Sequence, residues 1–152
     1  MVPRAIGPEG RRMDGASRHD QIRARVEGGV PIGILGYAGD APVAWCSVAP
    51  RGTYRNLGAT RDGADEVWSL VCLFLARAHR GRGYVKDLVG AAVAEAAASG
   101  ASVVEAYPVA PDSPSFRYGG FVATFAALGF REVGALGLRR RVMRLAIAGR
   151  SR

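Results

Sequence analysis

A run of ten apolar residues, Val67 to Ala76, leads through Arg80-Gly81-Arg82-Gly83-Tyr84-Val85 into a helical pattern from Tyr84 to Ser99. This order of strand, glycine turn and helix constrains the fold more than any other stretch of the chain. The apolar run lacks the alternation of a half-exposed strand, so it reads as a central strand covered on both faces. After the turn, Val85, Leu88, Val89, Ala92 and Ala96 recur at helical spacing. A glycine turn that opens a helix presents several unpaired backbone N–H groups in one direction. The helix dipole adds partial positive charge there, and Arg80 and Arg82 add full charges. That combination suits a pyrophosphate or another polyanion.

The rest of the chain fills in around this unit. Residues 1–17 read as an irregular lead, and His19 to Glu27 as a short helix stopped by Gly28-Gly29. Pro31 to Tyr37 and Pro42 to Val48 read as a hairpin about Gly39-Asp40. A loop follows over 50–63, with one helical turn expected around Tyr54 to Leu57. Beyond the long helix come a strand from Ser102 to Tyr107, a loop over 108–120 and a short helix from Phe121 to Leu128. Two last strands, Phe130 to Leu136 and Arg139 to Ala148, turn at Gly137. The order α, β-hairpin, β, α, β, α, β, β predicts a single α/β domain over residues 1–152.

Composition narrows the function classes. No apolar run nears the roughly 20 residues that span a bilayer, and Met1 to Arg12 lacks the apolar centre of a secretory signal, so the expectation is a cytoplasmic protein off the membrane. Cys46 and Cys72 lie in apolar runs without CxxC or Cys/His spacing, which predicts reduced thiols and no metal. A net charge of +8 asks for an anionic partner. The dense cluster Arg139-Arg140-Arg141 with Arg144 has no interleaved aromatics, which argues against nucleic acid and for a solvated edge strand.

Two motifs and their separation give the chain a resemblance. Arg80 and Gly83 fit the pattern R/Q-x-x-G-x-G/A, with Val85 where Gly or Ala is usual. Phe125-Ala126-Ala127-Leu128-Gly129-Phe130 fits a short helix ending in an aromatic, three residues and Gly-Phe. Within this order of elements, both resemble the GNAT superfamily of N-acetyltransferases, in its bacterial small-molecule branch. The resemblance covers a little over half the chain, from Val67 to Ile147. It implies a mixed central sheet splayed between the family's fourth and fifth strands, with flanking helices and shortened N-terminal elements. It also implies acetyl-CoA as acyl donor, its pyrophosphate on Arg80, Gly81, Arg82, Gly83, Tyr84 and Val85. Pantetheine would lie along Leu73 and Leu75 and end near Phe125, and the Leu75 N–H would stabilise the oxyanion.

The implied acceptor is a primary amine of a small molecule, attacking the thioester directly. Many family members carry a proton-donating Tyr where this chain has Phe125, so Tyr107 or Tyr118 is the candidate acid. Glu105 is the best-placed carboxylate for a base, with an ion pair to an arginine as its competing role. Glu66 and Ser69 lie at the start of the Val67 to Ala76 run, near where some relatives hold a base, and His79 and His19 read as turn and helix-start residues. Only about thirty residues precede Pro31, which predicts a homodimer whose second subunit shields the acceptor side. Two rival classes stay open: a GNAT-fold acyl-CoA-binding or assembly domain without catalysis, and a basic nucleic-acid-binding domain.

Overall fold

The computed structural model describes residues 15–54, 57 and 66–147. Helix α1, Gly15–Glu27, comes first, then strands β1, Ile34–Ala38, and β2, Ala41–Pro50. Strand β3, Val67–Leu75, leads into helix α2, Tyr84–Ala98. Strand β4, Val103–Ala106, helix α3, Val122–Ala127, and strands β5, Arg131–Leu136, and β6, Arg140–Ala146, complete the order. The strands form one mixed sheet in the order β1-β2-β3-β4-β6-β5. Only the β3–β4 pair is parallel.

One face of the sheet carries the main core. Leu88, Val89, Ala92 and Ala96 of α2 pack there with Cys46, Val48, Leu70, Val104 and Phe125. The 3.6-residue spacing seen in the sequence is therefore the buried stripe of α2. A second cluster on the other face joins Ala49, Tyr54, Leu57, Val71 and Tyr107. Helix α1 contributes no buried residue, and Ile22 and Val26 remain exposed.

Several expectations need correction. Helix α1 starts at Gly15, inside the stretch read as an irregular lead, while residues 1–14 lie outside the described residues. Strand β1 starts at Ile34 rather than Pro31, because Pro31 has no N–H for the ladder and Gly33 turns the chain at a φ of 145°. The helical turn after β2 is a 3-10 turn at Arg51–Thr53, and residues 55 and 56 of the expected 54–57 turn lie outside the described residues. The basic last strand is no edge. β6 lies between β4 and β5, and β5 is the edge strand. Charge alone misled here: Arg144 faces a buried carboxylate, which a solvated strand would not need.

Candidate active site

The site begins with a fault in β3. Val48 pairs with Leu70, and the next β2 residue back, Ser47, pairs with Cys72, so Val71 is an extra residue. Such a bulge bends its strand and sharpens the local twist. Parallel pairing to β4 stops at the same level, with Leu70 opposite Ala106. Past that point β3 continues to Leu75 beside a gap in the strand pairing, with the 3-10 turn Arg117–Gly119 lying against it. The Ala76 N–H donates to the Val43 carbonyl at 2.8 Å, so Phe74 and Ala76 address β2. By alternation, the backbone groups of Leu73 and Leu75 address the gap. The structure thus brings the two predicted pantetheine-binding residues to the free edge of the splayed strand.

The gap ends at the glycine turn. Gly81 and Gly83 have φ of 75° and 82°, and Gly83 is the N-cap of α2. A Cβ at either position would meet nothing within 4 Å. Backbone conformation and open approach, rather than crowding, therefore select glycine here. The first turn of α2 leaves its N–H groups without intrahelical acceptors. Arg80 donates from Nε to the Leu75 carbonyl at 2.8 Å, which ties the turn to the end of β3. Its charge stands beside the helix start, where an anion would sit. Tyr84 is exposed at the start of α2, with the His79 ring 6.3 Å away centroid to centroid, and Val85 packs against the core below it. Arg82 is exposed.

On the other side of the gap the chain is buried and polar. Ser69, Glu105 and Arg144 are register partners across β3, β4 and β6. Glu105 is 1% exposed. The Tyr107 hydroxyl donates to its Oε1 at 2.6 Å, and Arg144 Nε donates to its Oε2 at 2.6 Å. Arg51 Nη1 lies 3.5 Å from Oε1. Because the one Tyr107 hydroxyl proton goes to Glu105, Ser69 is the donor in its 2.9 Å bond to Tyr107. Burial, then the Glu105 charge, push the Tyr107 phenol well above its ordinary range. Burial likewise raises the thiols of Cys46 and Cys72, and both are free cysteines.

Phe125 is fully buried, edge-to-face with Phe130 at 5.1 Å between centroids, near the Leu73 side chain at Gly120. Tyr118 is exposed and faces Phe116. Glu66 is exposed and accepts from Ser102 Oγ at 3.1 Å, and His19 is exposed on α1 beside Asp20. Sequence reasoning ranked Glu105 and Tyr107 singly and missed Arg51 and Arg144 as their partners. A glutamate in the apolar run Val103-Val104-Glu105-Ala106 does signal a need for a buried cation, but register alone names it.

Among the described residues no cluster of His, Cys, Asp and Glu could hold a metal ion, and no helix is long and apolar enough to cross a membrane. No curated protein matches the sequence. Solved structures do. The ribosomal-protein-alanine N-acetyltransferase of Brucella melitensis is 20% identical, with a TM-score of 0.62 over 89% of this chain and 80% of that one. A candidate acetyltransferase from Salmonella typhimurium, solved with its cofactor acetyl-CoA, is 18% identical, with a TM-score of 0.61 over 92% and 78%. The Bacillus subtilis acetyltransferase in complex with CoA is 16% identical, with a TM-score of 0.54 over 85% and 84%. These likenesses carry the fold. The sequence itself matches the family described as Acetyltransferase (GNAT) over residues 6–130. With the splayed sheet and the glycine turn, this match makes the chain a member of the GNAT acetyltransferase family, in the GNAT fold.

Proposed function

We propose that the chain transfers an acetyl group from acetyl-CoA to a primary amine of a small molecule by direct attack. One observation carries this reading: the backbone edge at Leu73 and the Leu75 N–H, which no strand pairs with, runs into the glycine turn that opens α2. The residues present fit the donor. Open space at Gly81 and Gly83 admits a pyrophosphate to the helix start, and Arg80 and Arg82 bring charge. Acetyl-CoA supplies the activated acyl group. The Leu75 N–H is the donor that polarises its carbonyl. Glu105 serves through Tyr107, since both its carboxylate oxygens are engaged and it has almost no exposed surface.

The test is a melting temperature with and without acetyl-CoA, followed by CoA release over a panel of amines. Ligand binding to the native state contributes about 2.7 kcal/mol at a hundredfold excess over Kd. A shift accompanied by CoA release supports the transferase. A shift with no release from any amine selects the acyl-CoA-binding or assembly domain instead. Salt-dependent binding of heterogeneous DNA without any response to CoA selects the nucleic-acid-binding class.

The same reading includes a homodimer and a cytoplasmic setting. Leu35, Tyr37 and Phe74 are each more than half exposed, and Leu35 and Phe74 both pair with Trp45 across β1, β2 and β3. That apolar row supports a subunit contact. β6 cannot supply it by strand pairing, because both its edges are taken. Light scattering that reports a monomer at micromolar concentrations overturns the dimer.

A further inference from the structure

The loop that follows β4 gathers cations, and its one carboxylate, Asp112, forms an ion pair with none of them. Arg117 donates from Nη1 to the Pro111 carbonyl at 2.6 Å and lies over the Phe121 ring at 4.9 Å. Arg139 donates to the Ser115 hydroxyl at 3.1 Å. Arg140 lies over the Phe116 ring at 4.6 Å, and its Nε is buried without a hydrogen-bond partner. All these partners are neutral, so three positive charges stand together. Among the described residues, none of the three has a carboxylate within ion-pair distance. Arg141, next in the chain, does find one in Glu132 at 3.7 Å.

Two further features point to a ligand. Phe116 holds a φ of 60°, the one left-handed non-glycine conformation among the described residues. A bulky residue in that region is strained, and such strain persists where the surroundings demand it, often at ligand sites. Here it places an aromatic ring beneath the Arg140 guanidinium. A buried donor with no acceptor is costly, and an anion that drew the Arg140 guanidinium round to itself would relieve that cost.

Position supplies the rest. β3 leads into the glycine turn and β4 leads into this loop, so both basic sites stand at the same end of the parallel pair, and the turn that carries Arg117 lies against β3. The loop is fixed there. Val109 N–H donates to Gly120, Val122 N–H to Val109, and Arg141 N–H to Pro108. The glycine turn is committed to the donor's pyrophosphate in the transferase reading. A second basic centre at the same end of the sheet is then left for the other reactant.

Resting on that reading, we propose that Arg117, Arg139 and Arg140 around Phe116 receive an anionic group, carboxylate or phosphate, carried by the acceptor amine. Guanidinium forks suit both anions, and the ring below Arg140 holds its plane in place. The acceptor is thus a zwitterion-like small molecule, amine at one end and anion at the other. A polyamine would be repelled by the same three charges.

The experiment uses the full chain saturated with CoA, so that the glycine turn is already occupied. Inorganic phosphate is then titrated against chloride at constant ionic strength, with melting temperature as the readout. Phosphate should raise it beyond chloride, and Arg140→Gln should abolish that increment while keeping the response to CoA. A second arm compares CoA release for paired amines: a carboxylate with its methyl ester, and a phosphate with its parent alcohol. The anionic member of at least one pair should show a KM about tenfold lower, as expected for a hydrogen bond to a charged group, and Arg140→Gln should remove the difference. Which pair responds tells carboxylate from phosphate. Equal behaviour of phosphate and chloride, or of charged and uncharged amines, in a parent that still responds to CoA overturns this inference and leaves the transferase standing. Absence of any CoA response overturns the transferase reading instead, and with it the assignment to an acceptor. Displacement of phosphate by a DNA duplex, with no difference between paired amines, overturns it in favour of a polyanion surface.

Discussion

The two flanks of the gap are built on opposite plans. On the β3 side, the glycine turn is exposed, its Cβ positions open onto empty space, and its geometry is set by local backbone conformation. On the β4 side, Glu105 and Tyr107 are buried, and Ser69 of β3, Arg51 and Arg144 reach them from other elements. One flank is a cradle waiting for a partner. The other is a closed circuit that already has its partners. The contrast implies that substitutions on the first flank alter binding and leave folding alone, whereas those on the second alter folding and catalysis together.

Glu105→Gln should have the largest effect. It leaves Arg144 and the buried Arg51 without their shared counter-charge, and breaking a buried pair costs about 3–5 kcal/mol. For a domain of this size that means a fall of roughly 10 °C in Tm, read by thermal denaturation. A change too small to resolve would show that the circuit is not structural. Next comes Tyr107→Phe, which removes the hydroxyl between Glu105 and Ser69. Turnover should fall about a hundredfold if the phenol acts in proton transfer. Undiminished turnover would confine Tyr107 to packing.

The same variant carries a pH signature. The Tyr107 phenol is raised in the fold by burial and by Glu105, so the native state keeps its proton after the unfolded chain has lost it. The associated stability is complete below an unfolded pKa of about 10 and declines as pH rises above it. Denaturant melts of the parent should lose up to about 1.4 kcal/mol per pH unit there, and Tyr107→Phe should lose less. Identical alkaline slopes would rule out a buried, bonded phenol.

On the open flank the effects are smaller and fall mainly on binding. Gly83→Val forces a β-branched residue into a φ of 82°, at a cost of about 1–2 kcal/mol. Calorimetry should show CoA binding weakened about tenfold with an unchanged far-UV spectrum. Val85→Ala is the mildest: affinity should match the parent or exceed it by no more than about threefold, within the sub-kilocalorie range of tolerated changes. Loss of fold in either variant would erase the contrast between the flanks.

What could be read from the sequence follows the same division. The glycine turn, α2 and the aromatic-to-Gly-Phe segment are contiguous, and their chemistry is local. They were legible because spacing along the chain is spacing in space. Ser69, Glu105 and Arg144 lie 36 and 39 positions apart and meet only through strand register. Nothing in the order of residues records that β6 inserts between β4 and β5. Arg139 to Arg144 therefore looked like one solvated group, although Arg144 turns inward to Glu105 and Arg140 lies over Phe116. Phe116 gave no signal, since a left-handed φ at a non-glycine residue is set by its surroundings.

Val71 has a consequence beyond bending its strand. An alternating chain is a two-beat rhythm, and one extra residue would ordinarily shift the beat. Before it, Ser69 keeps time with Glu105; after it, Leu73 and Leu75 turn their backbone to the gap and Phe74 turns its ring to solvent. Val71 and Cys72 both face the Tyr107 cluster, so the bulge absorbs the extra residue, and Leu73 and Leu75 lie on the face of the main core with Leu70. The strand therefore carries two messages in one reading frame, one for the fold and one for the ligand, and Val71 is the punctuation between them. A deletion of Val71 should therefore leave every later residue of β3 on its face and cost the strand only the bend that opens its end.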